Sequence, residues 1–285
     1  MVSESVKADL YKQGYRLVGN HSAIKVCLWT KKSIRKEDVC YKNAFYGIKS
    51  WQCIQMSPTF LCDHRCIFCW RNIEDVSLRW EGQIDNPRDI VEGCVKAQRG
   101  YLEGFRGNAK ANKRRLWEAM QPLHFAISLT GEPCTYPRLP ELISEIKKKK
   151  MTSFLVTNGT IPKMLKNLVK NQPTQLYITL PAPDEETYEK VCNPLIDDAW
   201  QRLMKSLSLM KKFKRNVLRL TLVKNYNLIK PEKYSELIKK NKPKFVELKS
   251  YMWVGHSRKR LQQQDMPLHS EIMGFAKEIS KYSGY

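Results

Sequence analysis

The chain has 285 residues, 42% of them hydrophobic, which is enough for one large core and is an ordinary length for a single α/β barrel. No signal-peptide pattern and no run approaching twenty apolar residues occurs, which excludes a spanning helix and predicts a soluble, cytoplasmic protein. The formal net charge of +22 comes with too few acids for a surface of balanced ion pairs, so we expect a polyanionic partner, nucleic acid first.

The predicted elements form a repeated βα pattern from residue 51 onward. Residues 1–50 are expected to be an N-terminal extension, and residues 51–285 the barrel. The predicted strands are Gln52–Pro58, His124–Leu129, Ser153–Thr157, Leu176–Leu180, Val217–Val223 and Phe245–Met252. Helices are predicted to begin near Asn86, Arg138, Pro162, Asp184, Pro231 and Pro267. This order predicts an α/β fold, an incomplete TIM-like (β/α)6 barrel.

Polar residues follow several of the predicted strands, where a parallel barrel keeps its active site. Gly131, Glu132 and Pro133 come after the second strand, Asn158 comes after the third, and Thr179 lies near the end of the fourth. Asn158 is followed by glycine, so an ordinary turn is the alternative to a binding role.

A basic segment between Arg99 and Arg115 carries six cations and one acid. Its candidate phosphate-binding residues are Lys110, Lys113, Arg114 and Arg115. A solvated helix face is the alternative interpretation, because phosphate contacts need little more than positioned cations.

Nine cysteines in a chain without a secretion signal predict metal ligands, not disulfides. Cys62, Cys66 and Cys69 form a CxxxCxxC motif directly after the first predicted strand. Three thiolates in one loop can hold three irons of a cubane cluster and leave the fourth iron open, as a catalytic site requires. Zinc is the alternative, with His64 as the fourth ligand.

The motif resembles the signature of the radical S-adenosylmethionine superfamily, which has an aromatic residue before the last cysteine. The resemblance places Phe68 against the adenine of the cofactor and the Gly131-Glu132-Pro133 motif at its amino group. It makes Asn158 a candidate for the ribose contact and Thr179 a candidate for the cofactor's other polar groups. The chemistry would belong to the cofactor, while the barrel excludes water and aims the radical.

A second set of cysteines, Cys27, Cys40 and Cys53, is spaced thirteen residues apart. From spacing alone, three segments converging on a second metal site and a chance spread of buried thiols both remain open. Cys94, Cys134 and Cys192 fit neither set and are expected to be structural.

Five segments extend the resemblance to one family, the tRNA 4-demethylwyosine synthases. They are CDHRCIFCWRN (62–72), ISLTGEPCTYP (127–137), LVTNG (155–159), LRLTLVKN (218–225) and VELKSYMWVGHSRKR (246–260). The resemblance implies a second 4Fe-4S cluster on Cys27, Cys40 and Cys53, and a lysine at the position of Lys42 that captures pyruvate as a Schiff base. Arg71, in the family's Trp-Arg pair, is added to the expected RNA contacts.

The family reaction implied is the conversion of N1-methylguanosine, 3′-adjacent to the anticodon of phenylalanine tRNA, and pyruvate into 4-demethylwyosine. The target base must leave its stack, and Trp70, Tyr251 and Trp253 are candidates to hold it. A separate flavodoxin- or ferredoxin-like electron donor, no membrane and a monomer are expected. The alternatives are another radical enzyme, which activates a protein or inserts sulfur, and a zinc-stabilised RNA-binding module without catalysis.

Overall fold

The structure is a computed structural model that describes residues 4–74, 78, 80 and 82–285, with side chains from residue 7 onward. The chain divides into two compact units. The first comprises Met1–Phe60 and Arg79–Leu155, and the second comprises Leu61–Leu78 and Val156–Tyr285. The boundary expected at residue 50 stays a prediction.

The first unit contains a mixed set of strands. Its strands are β1 (Tyr15–Val18), β2 (Ser22–Lys25), β3 (Cys53–Ser57), β4 (His124–Ile127) and β5 (Thr152–Thr157); the first four residues of β5 belong to this unit. Its helices are α1 (Glu4–Lys12), α2 (Leu28–Ile34), α3 (Tyr41–Tyr46), α4 (Pro87–Glu103), α5 (Lys113–Ala119) and α6 (Leu139–Lys148). β1 pairs antiparallel with β2 and β2 with β3, whereas β3, β4 and β5 are parallel neighbours.

The β1–β2 hairpin was not predicted, because each strand has only four residues and little alternation to detect. Tertiary contacts stabilise it instead. Ala23 and Ile24 of β2 are fully buried and pair with Ser57 and Met56 of β3. The carboxylate of Asp85 accepts hydrogen bonds from the backbone and side chain of Asn20 at the hairpin turn, both at 2.6 Å.

Among the residues described, the second unit contains three parallel strands and five α-helices. They are β6 (Gln175–Thr179), β7 (Asn216–Leu222) and β8 (Phe245–Ser250), with α7 (Pro162–Leu168), α8 (Glu185–Cys192), α9 (Ala199–Ser208), α10 (Pro231–Asn241) and α11 (His269–Ser283). All six predicted parallel strands are therefore present, three in each unit. The apolar residues of β4, β6 and β7 are buried, as expected for parallel strands covered by helices, whereas β8 is partly exposed along its length. In the described part of the chain, no helix is long and apolar enough to cross a membrane.

Asp184 caps helix α8 and joins it to α10. Its carboxylate accepts from the backbone N–H (3.1 Å) and hydroxyl (2.6 Å) of Thr187 and forms ion pairs with Lys230 (2.7 Å) and Lys233 (3.1 Å). Partial burial opposes ionisation, but the bonds from Lys230, Thr187 and Lys233 hold the pKa of Asp184 well below its usual value. The carboxylate is therefore more stable in the folded chain than in the unfolded one.

We expect Asp184→Ala to lower the free energy of unfolding by about 1 kcal/mol or somewhat more at pH 7, measured by urea denaturation. Because the folded pKa is depressed, this contribution is complete above the unfolded pKa, near 4, and is lost as the pH falls below it. The difference from wild type should shrink in acid. The matched control is Asp198→Ala, since Asp198 precedes α9 without a side-chain capping bond and should cost much less. Equal losses in the two variants would contradict this role.

Candidate active site

The cysteine loop of the second unit holds Cys62, Cys66 and Cys69, all of them half-buried free thiols. Backbone bonds shape the loop. The N–H of Arg65 donates to Cys192 O and that of Ile67 to Val191 O, both at 3.0 Å, at the end of α8. The three thiols are thus presented on an irregular but supported segment, as a cluster-binding loop requires.

Two of the segments that carry the family resemblance, residues 62–72 and 246–260, contact each other at this loop. The guanidinium of Arg260 donates to the carbonyls of Ile67, at 3.1 Å, and Cys69, and His256 N–H donates to Trp70 O at 2.9 Å. Gly255 has a positive φ of 59°, and a Cβ there would lie 2.4 Å from Trp70 O. Glycine is therefore required for this close approach.

The environment of these thiols fits an iron–sulfur cluster. Burial raises the pKa of Cys69, opposed by the nearby charges of Arg71 and Arg260. A hydrogen bond with Cys192, followed by burial, raises the pKa of Cys66 well above its ordinary value. Buried thiolates need a metal to stabilise their charge, and three soft sulfur donors suit iron in a cluster.

Cys192 is a residue near the site that sequence analysis missed. One donor atom each of His64, Cys66 and Cys192 lies within 4.8 Å of the others. However, His64 Nε2 already lies 2.7 Å from the hydroxyl of Tyr188, and Nδ1 lies 3.2 Å from Asn158 Nδ2. A zinc ion on His64 would have to break one of these hydrogen bonds, so the zinc alternative is disfavoured.

Asn158 is tied to the cysteine loop. Its amide nitrogen donates to Asp63 Oδ1 at 2.6 Å, and its oxygen accepts from the backbone (3.1 Å) and hydroxyl (2.8 Å) of Thr160. Asp63 is only 5% exposed, so the hydrogen bond from the Asn158 amide stabilises its buried carboxylate. The observed contacts make Asn158 a residue that positions the loop, while its ribose contact stays a prediction.

We expect Asn158→Ala to lower the free energy of unfolding by about 1–3 kcal/mol, because buried Asp63 loses a donor. The reconstituted variant should also lose iron faster during gel filtration. Thr160→Val is the matched control, since it removes a hydroxyl from Asn158 and leaves the bond to Asp63 in place. If Asn158→Ala retains iron as tightly as this control, the positioning role is wrong.

Phe68 packs on a small apolar cluster of the second unit formed by Val223, Tyr251 and Leu261, with Trp253 beside it. Tyr251 is 2% exposed and donates from its hydroxyl to Ser257 Oγ at 2.9 Å. Of the three aromatic residues considered for holding the target base, Tyr251 is therefore committed to the core. The adenine contact of Phe68 stays a prediction.

A polar row across β6, β7 and β8 joins the predicted residue Thr179 to two residues that were not predicted, Arg219 and Glu247. Thr179, Arg219 and Glu247 are register partners on neighbouring strands. Arg219 forms an ion pair with Glu247 at 3.0 Å and lies 4.4 Å over the ring of Tyr177. Glu247 Oε2 is buried and has no hydrogen-bond partner among the described residues, which is unusual unless a ligand supplies one.

The Gly131-Glu132-Pro133 motif lies in the first unit, after β4. Gly131 has a positive φ of 67°. Glu132 is 2% exposed, and its carboxylate accepts from the N–H of Cys134 at 2.9 Å. Next to it, the hydroxyl of Thr130 is buried without a hydrogen-bond partner in the described chain. An unpaired buried hydroxyl fits a place where a polar ligand group binds.

The second set of cysteines comes together in the first unit. Cys27 directly precedes α2, Cys40 directly precedes α3, and Cys53 begins β3. The pKa of Cys53 is raised to about 12, mainly by burial; the charge of Lys42 opposes this shift, and Cys27 and Cys40 add to it. All three groups are thus close enough to Cys53 to act on its charge. Three successive elements therefore bring Cys27, Cys40 and Lys42 into the neighbourhood of Cys53.

Lys42 is not an ordinary surface lysine. It is 7% exposed, and its Nζ lies 4.8 Å from the centre of the Phe154 ring. Burial, together with the nearby charges of Lys42 and Lys49, lowers the pKa of His124 to about 4. Shielding from water favours the neutral amine of a lysine over its charged form, and the neutral amine is the form that attacks carbonyl compounds.

The predicted RNA contacts differ in their surroundings. Lys110, Lys113 and Arg114 are exposed, and Arg114 reaches Glu118 at 3.3 Å. Arg115 stacks over Trp51 at 4.5 Å and donates to a backbone carbonyl, so its guanidinium is already held. Arg71 acts on the charge of Cys69, which places it near the cysteine loop.

Comparison with known proteins agrees with this site. Residues 56–238 match the family model for the Radical SAM superfamily, so the chain is a radical S-adenosylmethionine protein. Membership implies S-adenosylmethionine and one 4Fe-4S cluster as cofactors. Residues 240–285 match the family model for wyosine base formation.

The chain belongs to the tRNA 4-demethylwyosine synthase family. It is 48% identical over 281 residues to the S-adenosyl-L-methionine-dependent tRNA 4-demethylwyosine synthase of Pyrococcus abyssi, covering 96% of this chain and 82% of that protein. It is 36% identical to the human synthase, covering 98% of this chain and 38% of that protein.

A solved structure of TYW1 with a lysine-pyruvate adduct bound has a TM-score of 0.91 and 36% identity, covering 100% of this chain and 91% of that one. A crystal structure of archaeal TYW1 has a TM-score of 0.82 and 32% identity, with the same coverage. The predicted fold class is thereby confirmed.

Proposed function

We propose that this chain converts N1-methylguanosine beside the anticodon of phenylalanine tRNA, together with pyruvate, into 4-demethylwyosine. The names of its relatives support the tRNA reaction. The observation that carries the pyruvate half is the burial of Lys42 next to Cys27, Cys40 and Cys53. A relative that binds a lysine-pyruvate adduct supports the same assignment.

The proposed roles follow the two groups of thiols. Cys62, Cys66 and Cys69 would hold the first cluster, and Cys27, Cys40 and Cys53 the second. The cofactor would contact Phe68, Gly131, Glu132, Pro133, Asn158 and Thr179. When bound, cluster and S-adenosylmethionine supply a 5′-deoxyadenosyl radical, which is chemistry of the cofactor.

Lys42 contributes the covalent step that belongs to the chain itself. Its neutral amine adds to the keto carbon of pyruvate and, with loss of water, forms an imine that holds the three-carbon unit in place. Burial against Phe154 limits access of water to this nitrogen, which protects the imine from hydrolysis. The captured carbons are then fixed where the methylated base must arrive.

The partners proposed beyond tRNA and pyruvate are an external flavodoxin- or ferredoxin-like electron donor and no second copy of the chain. We also propose that the protein acts in the cytoplasm. These assignments rest on the sequence resemblance and on the reaction, which needs an electron from outside the chain.

The test is anaerobic reconstitution with iron and sulfide, followed by incubation with methylated tRNA, pyruvate, S-adenosylmethionine and a reductant. The tricyclic nucleoside should appear in the tRNA digest by mass spectrometry. Deoxyadenosine without this nucleoside would indicate another radical enzyme, one that activates a protein or inserts sulfur. A colourless protein that holds zinc would indicate the RNA-binding module.

A further inference from the structure

We propose that one face of the first unit, formed by α2 and α5, binds the phosphate backbone of the substrate tRNA next to Lys42. We call it the α2–α5 surface and define it by the cations Lys32, Arg35, Lys36, Lys110, Lys113 and Arg114. The inference rests on the proposed function and extends it, since it names where the RNA lies. The proposed occupant is RNA, and an acidic electron-donor protein is the competing outcome of the test.

Packing makes the two segments one face although they are distant in sequence. Val26, Ile34, Leu102 and Ala119 form a shared buried core beneath them. The N–H of Asn112, which caps α5, donates to Ile34 O at the end of α2 at 2.8 Å. The basic segment predicted from sequence is therefore joined to cations that the sequence analysis did not single out.

Two acids of this face, Glu37 and Glu118, are already paired with cations. Glu37 receives two hydrogen bonds from Arg35, at 2.6 and 2.7 Å, and its lowered pKa reflects that pairing and the charges of Lys110 and Lys32. Glu118 receives bonds from Trp51, Lys49 and Arg114 and is mostly buried.

Three cations of the surface are available for a partner. Among the residues that the structure describes, Lys36, Lys110 and Lys113 have no ion-pair partner. The face is therefore left with positive charge for a polyanion.

Exposed aromatic rings lie among these cations. Trp117 is 65% exposed and follows Lys113 by four residues on α5, so the two share a helix face. Trp29 is 36% exposed, with the ammonium of Lys32 5.1 Å from its ring. Cations that track a backbone, combined with rings on which bases stack, are the recurring design of single-stranded nucleic acid sites. This combination favours RNA over an acidic protein.

The α2–α5 surface is connected along the chain to the proposed pyruvate site. Helix α2 starts at the residue after Cys27, and α3 carries Lys42. Phe45, one helical turn after Lys42, is 74% exposed and lies 6.3 Å from the ring of Tyr41. The methylated base must reach the carbon atoms held on Lys42. RNA bound to the α2–α5 surface would place its base near those atoms.

The charge test compares two triple variants of the holoenzyme. Lys36→Ala/Lys110→Ala/Lys113→Ala removes the three available cations from the α2–α5 surface, and Lys211→Ala/Lys212→Ala/Lys240→Ala removes three exposed cations from the second unit. The affinity for methylated tRNA is measured between about 50 and 200 mM salt. We expect the slope of log affinity against log salt to become shallower by about 2 to 3 in the first variant and by less than 1 in the control.

The stacking test uses Phe45→Ala, with Tyr282→Ala as the control for an exposed aromatic residue on α11. We infer that the exposed ring of Phe45, on α3 beside the surface, stacks on an RNA base. We therefore expect Phe45→Ala to raise the KM for tRNA about fivefold or more, because that base loses its stacking partner. Borohydride trapping of pyruvate on Lys42, measured without tRNA, should not change. A merely structural defect would lower both readouts together.

The outcomes separate this inference from the proposed function. Equal salt slopes in the two triple variants, with wild-type turnover intact, overturn the surface alone. Unchanged tRNA affinity with slower reduction by a flavodoxin shows that the face serves an acidic protein, which also overturns it. If wild type neither binds methylated tRNA nor makes the tricyclic base, the proposed function fails and the surface with it.

Discussion

Lys42→Ala should abolish the borohydride-stable attachment of labelled pyruvate and lower formation of the tricyclic nucleoside on the order of a thousandfold or more. Removal of a covalent nucleophile costs far more than loss of a contact, because the intermediate itself cannot form. Release of deoxyadenosine should persist, since the thiols of the cysteine loop are untouched. The measurement is mass spectrometry of the intact protein and of the tRNA digest from the same reaction.

Two further variants make the result specific. Lys42→Arg keeps a positive charge near Cys53 but cannot form an imine, because a guanidinium stays protonated in proteins. It should behave like the alanine variant. Lys49→Ala removes a half-exposed lysine of the same unit and should leave pyruvate attachment intact. A Lys42→Ala protein that keeps full turnover would remove the imine from the mechanism and leave the radical step standing.

Cys66→Ala should lose the brown colour of the reconstituted first cluster and lower deoxyadenosine release by at least about a hundredfold. The reason is that a residue bound directly to iron contributes more to cluster binding than residues that only contact the ligands. Cys192→Ala should keep both. The comparison is informative because the two sulfurs lie within 4.8 Å of each other, so either could serve a metal on geometry alone. Iron and zinc contents, measured on anaerobic samples, complete the experiment.

The opposite pattern would change the assignment of the site. If Cys192→Ala loses as much metal as Cys66→Ala, the ligands are His64, Cys66 and Cys192, and zinc becomes the favoured ion. His64→Gln then also loses the metal. Under the cluster assignment, this third variant should keep iron, since the ring of His64 is already engaged by Tyr188 and Asn158.

Local patterns were sufficient for the barrel. The six parallel strands were predicted to within two residues at either end, because buried parallel strands are continuous apolar runs that need no partner to be recognised. The short β1–β2 hairpin escaped, since four-residue strands have too few alternating positions. Its burial comes from pairing with β3 and from Asp85, both distant in sequence.

At the candidate site too, local patterns could be predicted, whereas contacts between distant segments could not. Spacing within one loop is enough to predict that Cys62, Cys66 and Cys69 act together. No spacing rule reveals that Cys192 lies beside Cys66, or that Arg219 and Glu247 pair across two strands, because those contacts depend on strand register and helix packing. Likewise, the role of Lys42 was expected only through resemblance to a family, in a chain rich in lysine.

The sequence by itself determined the strand order of the barrel, the cluster-binding motif and the large positive charge. The strands and the motif are local patterns of residues close together in the sequence, and the net charge is a sum over the composition. Only the tertiary structure decided that Lys42 is buried among three converging cysteines and that α2 and α5 form one basic face. The physical reason is that burial and convergence depend on the packing of distant segments. Those quantities exist only once the chain has folded.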